Sequence, residues 1–111
     1  MKLLFAVVNQ EEHLENILSA FLELGVSGAT IIDTVGMGHV LAHDIPIFAG
    51  LRYMLESPHP YNKTIFAIVE DKMVETIVGA IEKVCGSLSS PGTGIVFTVP
   101  VDGVWGFAKG L

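Results

Sequence analysis

Apolar residues in the first third of the chain predict a strand, a helix and a second strand. The compact run from Lys2 to Asn9 (KLLFAVVN) is typical of a buried strand. A helix ended by Gly25 follows, with apolar residues at helical spacing: Leu14, Ile17, Leu18, Phe21 and Leu22. Asn9 with Glu12 three residues later forms a capping-box pattern at its start. From Gly28, the run GATIIDTVG predicts the second strand.

The second half of the chain repeats this order of elements. The run from Lys63 to Val69 (KTIFAIV) predicts a strand, and Asp71 is in position to cap a helix that stops at Gly86. The apolar stripe of that helix comprises Val74, Ile77, Val78, Ile81 and Val84. A last strand is predicted from Ile95 to Val101 (IVFTVPV). The segments LENILSAFLELG and VETIVGAIEKVCG match over their first eight positions, which indicates an internal repeat.

Two strand–helix–strand units predict a single α+β domain over residues 1–111, a ferredoxin-like βαβ-βαβ sandwich. Both helices are expected on one face of an antiparallel sheet. KTIFAIV and IVFTVPV lack clean alternation, so the other face is expected to be apolar as well. Half of the residues are hydrophobic, which predicts that self-association covers this second face.

A long insert separates the two halves, at about residues 37–61. Connections of this length are usually functional or mobile. Within it, IFAGLRYML is predicted to form a short helix and SPHPYN a turn. The apolar side chains of the insert are as well explained by packing on the sheet as by binding.

Charge and cysteine content narrow the classes of function. Twelve acidic residues oppose six basic ones, for a net charge of −6 without a basic cluster, which argues against nucleic acid as a partner. The single Cys85 excludes an internal disulfide and fits a reducing compartment. The apolar start lacks a cleavage site, and no apolar run is long enough to span a bilayer. We therefore expect a cytoplasmic protein that is not embedded in a membrane.

Candidate catalytic groups are lacking in the sequence, and enzymatic activity is not expected. There is no second cysteine and no Ser-His-Asp pattern in a recognisable turn. A metal site in a symmetric oligomer is an alternative, with His39, His43 and His59 as ligands. His39 and His43 would share a face only if that piece of the insert were helical. Exposed loop histidines are the favoured interpretation.

Three local patterns, in this order, carry a resemblance to a known family. The first helix ends in LELGVSGATI, the second strand leaves through VGMG, and GTGIVFTVPV is a glycine loop followed by an apolar strand with a proline. Together they resemble the PII nitrogen-regulatory signalling family over nearly the whole chain except the insert. The resemblance implies a homotrimer that senses nucleotides between subunits and docks on a protein target, such as a transporter or metabolic enzyme, through its long loop.

The resemblance also implies a set of effector-binding residues for ATP, ADP or AMP. Thr30 and Gly36-Met37-Gly38 would face the base and the root of the loop, while Gly92-Thr93-Gly94 and Lys109 would approach the phosphates. Three cationic positions of the family are uncharged here, at Ile95, Gly106 and Ala108. Each lost contact is worth on the order of 1.5–3 kcal/mol, so weak nucleotide binding is expected.

The long loop departs from the family as well. The position of a glutamine that helps to hold a metal and 2-oxoglutarate is Val40, and neither Tyr53 nor Tyr61 matches the modifiable tyrosine. Sensing of 2-oxoglutarate and uridylylation are therefore not expected. Trp105 is interpreted as an anchor at a subunit interface, with an aromatic lid over the cleft as the alternative.

Three hypotheses of function remain open at this point. The first is a non-enzymatic regulator with a small effector in the cleft between subunits. The second is a metal-binding trimer similar to the divalent-cation tolerance proteins, which share this architecture. The third is a protein-interaction module whose cleft is empty.

Overall fold

The computed structural model describes residues 1–26, 28–44 and 61–107. Its strands are β1 Lys2–Val8, β2 Thr30–Val35, β3 Tyr61–Val69 and β4 Gly94–Pro100. Its helices are α1 Leu14–Glu23, α2 Met37–Asp44 and α3 Val74–Cys85. A short 3-10 turn precedes α1 at Glu11–His13, and another precedes α3 at Asp71–Met73. No helix within these ranges is long and apolar enough to cross a membrane.

The four strands form one sheet in the order β2-β3-β1-β4. Every neighbouring pair is antiparallel, and Phe5 in the middle of β1 lies opposite Phe66 of β3 and Phe97 of β4. This arrangement confirms the predicted α+β ferredoxin-like fold. β3 begins at Tyr61, two residues before the predicted start, because its first residues continue the pairing with the end of β2.

The core lies between the sheet and the helices α1 and α3. Alternate residues of β1 and β3 point into it, and both helices contribute residues one turn apart. Among the described residues, the buried ones are Leu4, Ala6, Val8, Ile17, Phe21, Ile65, Ala67, Val69, Ile77 and Ile81. The two halves contribute alike, since Ile17 and Phe21 of α1 occupy the positions that Ile77 and Ile81 occupy in α3. The internal repeat of the sequence is therefore a structural repeat around one core.

Glycines end both long helices, as the sequence predicts. After α1, the chain turns at Gly25 with φ of 88°, and the N–H of Val26 donates to the carbonyl of Phe21 at 2.8 Å. The N–H of Gly25 donates to Leu22 at 3.1 Å, which completes a Schellman motif. α3 ends at Gly86, which also has a positive φ, of 96°.

The predicted helix caps are wrong. The 3-10 turn at Glu11–His13 separates Asn9 from α1, and the one at Asp71–Met73 contains Asp71 itself. Neither helix has a side-chain hydrogen bond at its N-cap. Asn9 instead donates from Nδ2 to the carbonyl oxygen of Gly92 at 2.6 Å. Asp71 lies inside its turn, where its carboxylate meets the amino group of Met1 at 2.8 Å.

The helix α2 directly after β2 was not expected from the sequence. Its first helical hydrogen bond runs from the N–H of Val40 to the carbonyl of Gly36, at 3.2 Å. VGMG is therefore the junction of a strand and a helix. The predicted helix IFAGLRYML and the turn through His59 lie outside the described residues.

Candidate functional site

One face of the sheet carries neither α1 nor α3. We name it the open face, and the strand register assigns to it alternate residues of all four strands. They are Leu3, Phe5, Val7, Thr30, Ile32, Thr34, Asn62, Thr64, Phe66, Ile68, Ile95, Phe97 and Val99. None of these residues is charged. Ile95 is 57% exposed, Ile32 46% and Phe97 44%.

The open face divides into an apolar half and a half that contains polar groups. On β1 and β4 it is entirely apolar, and the ring of Phe5 stacks on Phe97 with the centroids 4.8 Å apart. On β2 and β3 a hydroxyl of Thr34 lies 2.9 Å from the hydroxyl of Thr64. The Thr34 hydroxyl also donates to the backbone carbonyl of Asn62 at 3.3 Å and bonds to the side-chain oxygen of that residue. These contacts form a compact group of neutral donors and acceptors.

The Asn62 side chain links this polar group to the first glycine segment. A Cβ atom built on Gly36 would stand 3.9 Å from Nδ2 of Asn62, so the amide packs against the backbone where β2 passes into α2. Met37, the first residue of that helix, is 77% exposed. Thr30 lies farther away, opposite Phe66, roughly 17 Å along β2 from its end. Thr30 thus lies on the open face but in the middle row of the sheet.

The second glycine segment, Gly92-Thr93-Gly94, is held against the end of β1. Gly94 has φ of 141°, and a Cβ on it would lie 2.5 Å from the carbonyl oxygen of Val7, so a larger residue does not fit. The Asn9 side chain holds the carbonyl of Gly92. The N–H of Thr93 is directed to the carbonyl of Ser90 at 3.4 Å. One of the N–H groups expected to approach a phosphate is therefore directed to a carbonyl within the loop.

The two glycine segments lie at the same end of the sheet but at opposite edges. Val8 lies opposite Gly94 on one side and Lys63 on the other, and Lys63 in turn lies opposite Asp33 near the end of β2. Since β2 and β4 are separated by three strand spacings, their backbones are about 14 Å apart. A single chain does not bring the two segments onto one small ligand.

The charged groups at this end lie on the helix side of the sheet. Lys63 forms an ion pair with Asp33, and its Nζ is 3.4 Å from a carboxylate oxygen of Glu11. The hydrogen bond that the ammonium group of Lys63 donates to Asp33 raises the pKa of Lys63 above its usual value of 10.5. A pocket of about 370 Å³ adjoins this pair and is lined by Glu11, Asp33, Tyr61, Asn62 and Lys63. Two carboxylates around one ammonium leave this pocket with an excess of negative charge.

The histidines of the predicted metal site lie in or beyond α2. His39 and His43 are four residues apart within this helix. Their backbone positions therefore lie on the same face of α2, as a shared metal site would require. The His39 ring lies 5.3 Å from the ring of Tyr61. Among the described residues there is no group of three or more His, Cys, Asp or Glu that could hold a metal ion. His59 lies outside them.

The chain after β4 supplies the remaining predicted positions. Trp105 is 91% exposed, and its ring lies against Gly103, where a Cβ would come within 3.0 Å of it. Gly106 has φ of 79°, a conformation that favours glycine. Ala108 and Lys109 lie outside the described residues.

Sequence reasoning missed the contact of Asn9 with Gly92 and the polar group around Thr34. The first joins residues far apart in the chain, so no local pattern could have indicated it. The second left a signal in NKT, where Asn62 and Thr64 are two residues apart, and in TIIDTV, where Thr30 and Thr34 lie four apart and therefore on the same face of the strand. Because alternate residues of a strand lie on the same face of the sheet, this spacing predicts a polar patch on the open face.

Comparison with known proteins agrees with the fold and with the resemblance of the loops. A search of curated proteins gives no significant match. The family model of the nitrogen regulatory protein P-II matches residues 1–110, nearly the whole chain. Proteins of this family are generally signal transducers without enzymatic activity. The chain therefore belongs to the nitrogen regulatory protein P-II family.

Proposed function

We propose that this chain is the subunit of a cytoplasmic homotrimer that binds a small effector between subunits and regulates a protein target. In this proposal the protein is a regulator in nitrogen signalling and not an enzyme. The observation that carries the proposal is the position of the two glycine segments, at one end of the sheet but on opposite edges. Only a second copy could bring the complementary segment to the same ligand.

The open face supports self-association. Apolar side chains stand exposed across β2 and β4, and burial of such area stabilises an interface by roughly 25 cal/mol per Å². Stable homo-oligomers close by symmetry, so the β2 edge of one copy would meet the β4 edge of the next around a threefold ring. With the open faces turned toward the threefold axis, the aromatic row of Phe66, Phe5 and Phe97 would lie in the interior of this ring.

The cleft between copies would hold an adenine nucleotide weakly. One edge would contribute Thr30 and Gly36-Met37-Gly38, and the other would contribute Gly92-Thr93-Gly94 and Lys109. The close packing of Gly94 against the carbonyl oxygen of Val7 supports a preformed loop on that side. The uncharged Ile95 and Gly106 support weak binding of phosphate groups.

Titration with ATP, ADP and AMP tests the effector, with calorimetry and thermal stabilisation as readouts. A ligand at a hundred times its Kd stabilises the protein by about 2.7 kcal/mol. We expect stabilisation at millimolar nucleotide and a sedimentation mass three times that of the 11.9 kDa chain. Absence of any stabilisation, with a trimer present, would support the alternative of an empty cleft.

The target would be contacted through residues 37–61, which begin with α2. The exposed Met37 at the start of this helix gives the segment an apolar contact point. Affinity capture with the whole chain and with a chain lacking residues 39–60 addresses this step. The expected result is loss of a protein partner, such as a transporter or metabolic enzyme. An unchanged set of partners would exclude the segment from target binding.

A metal-binding trimer is a second candidate, favoured by the helical backbone around His39 and His43. Imidazoles one turn apart can chelate one zinc or copper ion, and symmetry or His59 would supply further ligands. Metal content of the untagged protein is the measurement, with His43→Ala as the variant and His13→Ala as the control. Co-purified metal that His43→Ala alone removes would establish this function. Protein free of metal, with no rise in melting temperature on adding zinc or copper, would exclude it.

A further inference from the structure

The charges of the described residues restrict which effector the cleft can hold. The described lysines all lie off the open face. Lys2 and Lys63 point to the helix side of their strands, and Lys72 and Lys83 lie in the 3-10 turn and in α3. Lys63, the lysine nearest to the glycine segments on the sheet, is already bound to Asp33 and Glu11.

The described groups that would face the proposed cleft are neutral. On the β2 side these are the hydroxyls of Thr34 and Thr64 and the side chain of Asn62, which are held together by mutual hydrogen bonds. On the β4 side they are the apolar Ile95 and the backbone of the glycine loop. A flat molecule with neutral donors and acceptors on its edge matches both sides, because it buries its faces on apolar atoms and its edge on amide and hydroxyl groups.

A phosphate group has no matching partner among these described residues, and Lys109, which the proposed cleft would add from outside them, is a single cation against the two carboxylates of Asp33 and Glu11. An anion taken from water into such a site loses its hydration and needs a cation or several free N–H donors in exchange. The N–H of Thr93 is directed to Ser90, and the nearby carboxylates of Asp33 and Glu11 repel a second negative charge. The overall charge of −6 adds to this repulsion.

We infer that the cleft selects an uncharged nucleoside or nucleobase over its phosphorylated forms. This inference rests on the proposed effector cleft and deepens it by naming the class of ligand. The selecting feature is the neutral group Thr34, Asn62 and Thr64 together with the absence of a free lysine on the described open face. Each added phosphate should weaken binding by about threefold or more.

The test is a parallel titration of the assembled protein with adenosine, AMP, ADP and ATP at one ionic strength. The expected order of affinity runs from adenosine, the tightest, to ATP, the weakest. An affinity for ATP equal to or above that for adenosine would overturn the inference while leaving the proposed function intact. No binding by any of the four at millimolar concentration would overturn both.

A variant with an added cation tests whether the lack of positive charge is what disfavours phosphate groups in the cleft. Ile95→Lys places an ammonium group beside the glycine loop at a position that is 57% exposed in the subunit. We expect it to raise the ratio of the affinity for ATP to that for adenosine at least about tenfold over the same ratio in Ile95→Gln, the neutral control that loses the same apolar contact. Thr93→Lys serves the same purpose if Ile95→Lys prevents assembly. An equal gain in the neutral control, or no gain in either lysine variant, would contradict the charge argument.

Discussion

Replacement of Gly94 by alanine tests how tightly the second glycine segment is fixed. Gly94 has φ of 141°, and the new Cβ would lie 2.5 Å from the backbone oxygen of Val7. The strained backbone costs about 1–3 kcal/mol. Backbone atoms cannot move aside as a flexible side chain can, so β4 must shift away from β1 at a further cost of about 1–3 kcal/mol. Together these costs should lower the free energy of unfolding of Gly94→Ala by about 2–6 kcal/mol.

Two other glycines provide matched controls for the same substitution. Gly92 has φ of 79° but open space around a Cβ, so Gly92→Ala should cost only about 1–2 kcal/mol. Gly79 lies inside α3 with nothing within 4 Å, so Gly79→Ala should stabilise the protein by about 0.5–1 kcal/mol. Urea unfolding followed by far-UV circular dichroism, at one subunit concentration, measures all three. A loss for Gly94→Ala no larger than that for Gly92→Ala would refute the argument from the close approach.

Three further predictions concern the ends and the open face of the sheet. Asn9→Ala should lower the free energy of unfolding by about 1 kcal/mol and speed hydrogen exchange at the amide of Thr93. The control Asn16→Ala, on the exposed surface of α1, should do neither. Equal effects of the two substitutions would contradict the role of Asn9. Asp33 raises the pKa of Lys63, so the contribution of this ion pair to the free energy of unfolding is complete below about pH 10.5 and is lost as the pH rises through the raised pKa. Above that pH, wild type should therefore lose more stability than Lys63→Met. Parallel losses in pH-dependent urea unfolding would show that the pair contributes nothing. Phe97→Glu places a charge on the open face and should yield a monomer in sedimentation analysis; a trimer would show that this face is not the interface.

The sequence predicts the sheet and its two long helices because apolar periodicity reports burial directly. Ile17 and Phe21, or Leu4 and Ala6, carry that signal within their own segments. The capping predictions failed since a local pattern places Asn9 beside a helix, but the contact that fixes it comes from Gly92, more than eighty residues away. α2 was missed because the glycines in VGMGHVL favour a turn, although Gly36 supplies the carbonyl that starts the helix.

The candidate site was predictable in its glycines but not in its polarity. The spacing in SSPGTG indicates a tight loop, whereas the need for glycine at position 94 arises from the distance to β1. The hydrogen bonds among Thr34, Asn62 and Thr64 depend on the register of β2 with β3, which a single sequence does not determine. The neutral character of the open face follows from the same register.

Mixed assemblies test the central claim, that the effector site is shared between two copies. Asn62→Leu impairs the β2 side of the cleft and Asn9→Leu releases the loop on the β4 side, so each variant alone should lose effector binding. Co-expressed with different tags and purified as mixed trimers, the two variants should regain binding in about a third of the clefts, because each mixed trimer has one cleft formed by an intact side from each variant. Binding of adenosine and AMP by calorimetry gives the fraction of active sites. Mixed trimers without any recovered binding would contradict a site between subunits.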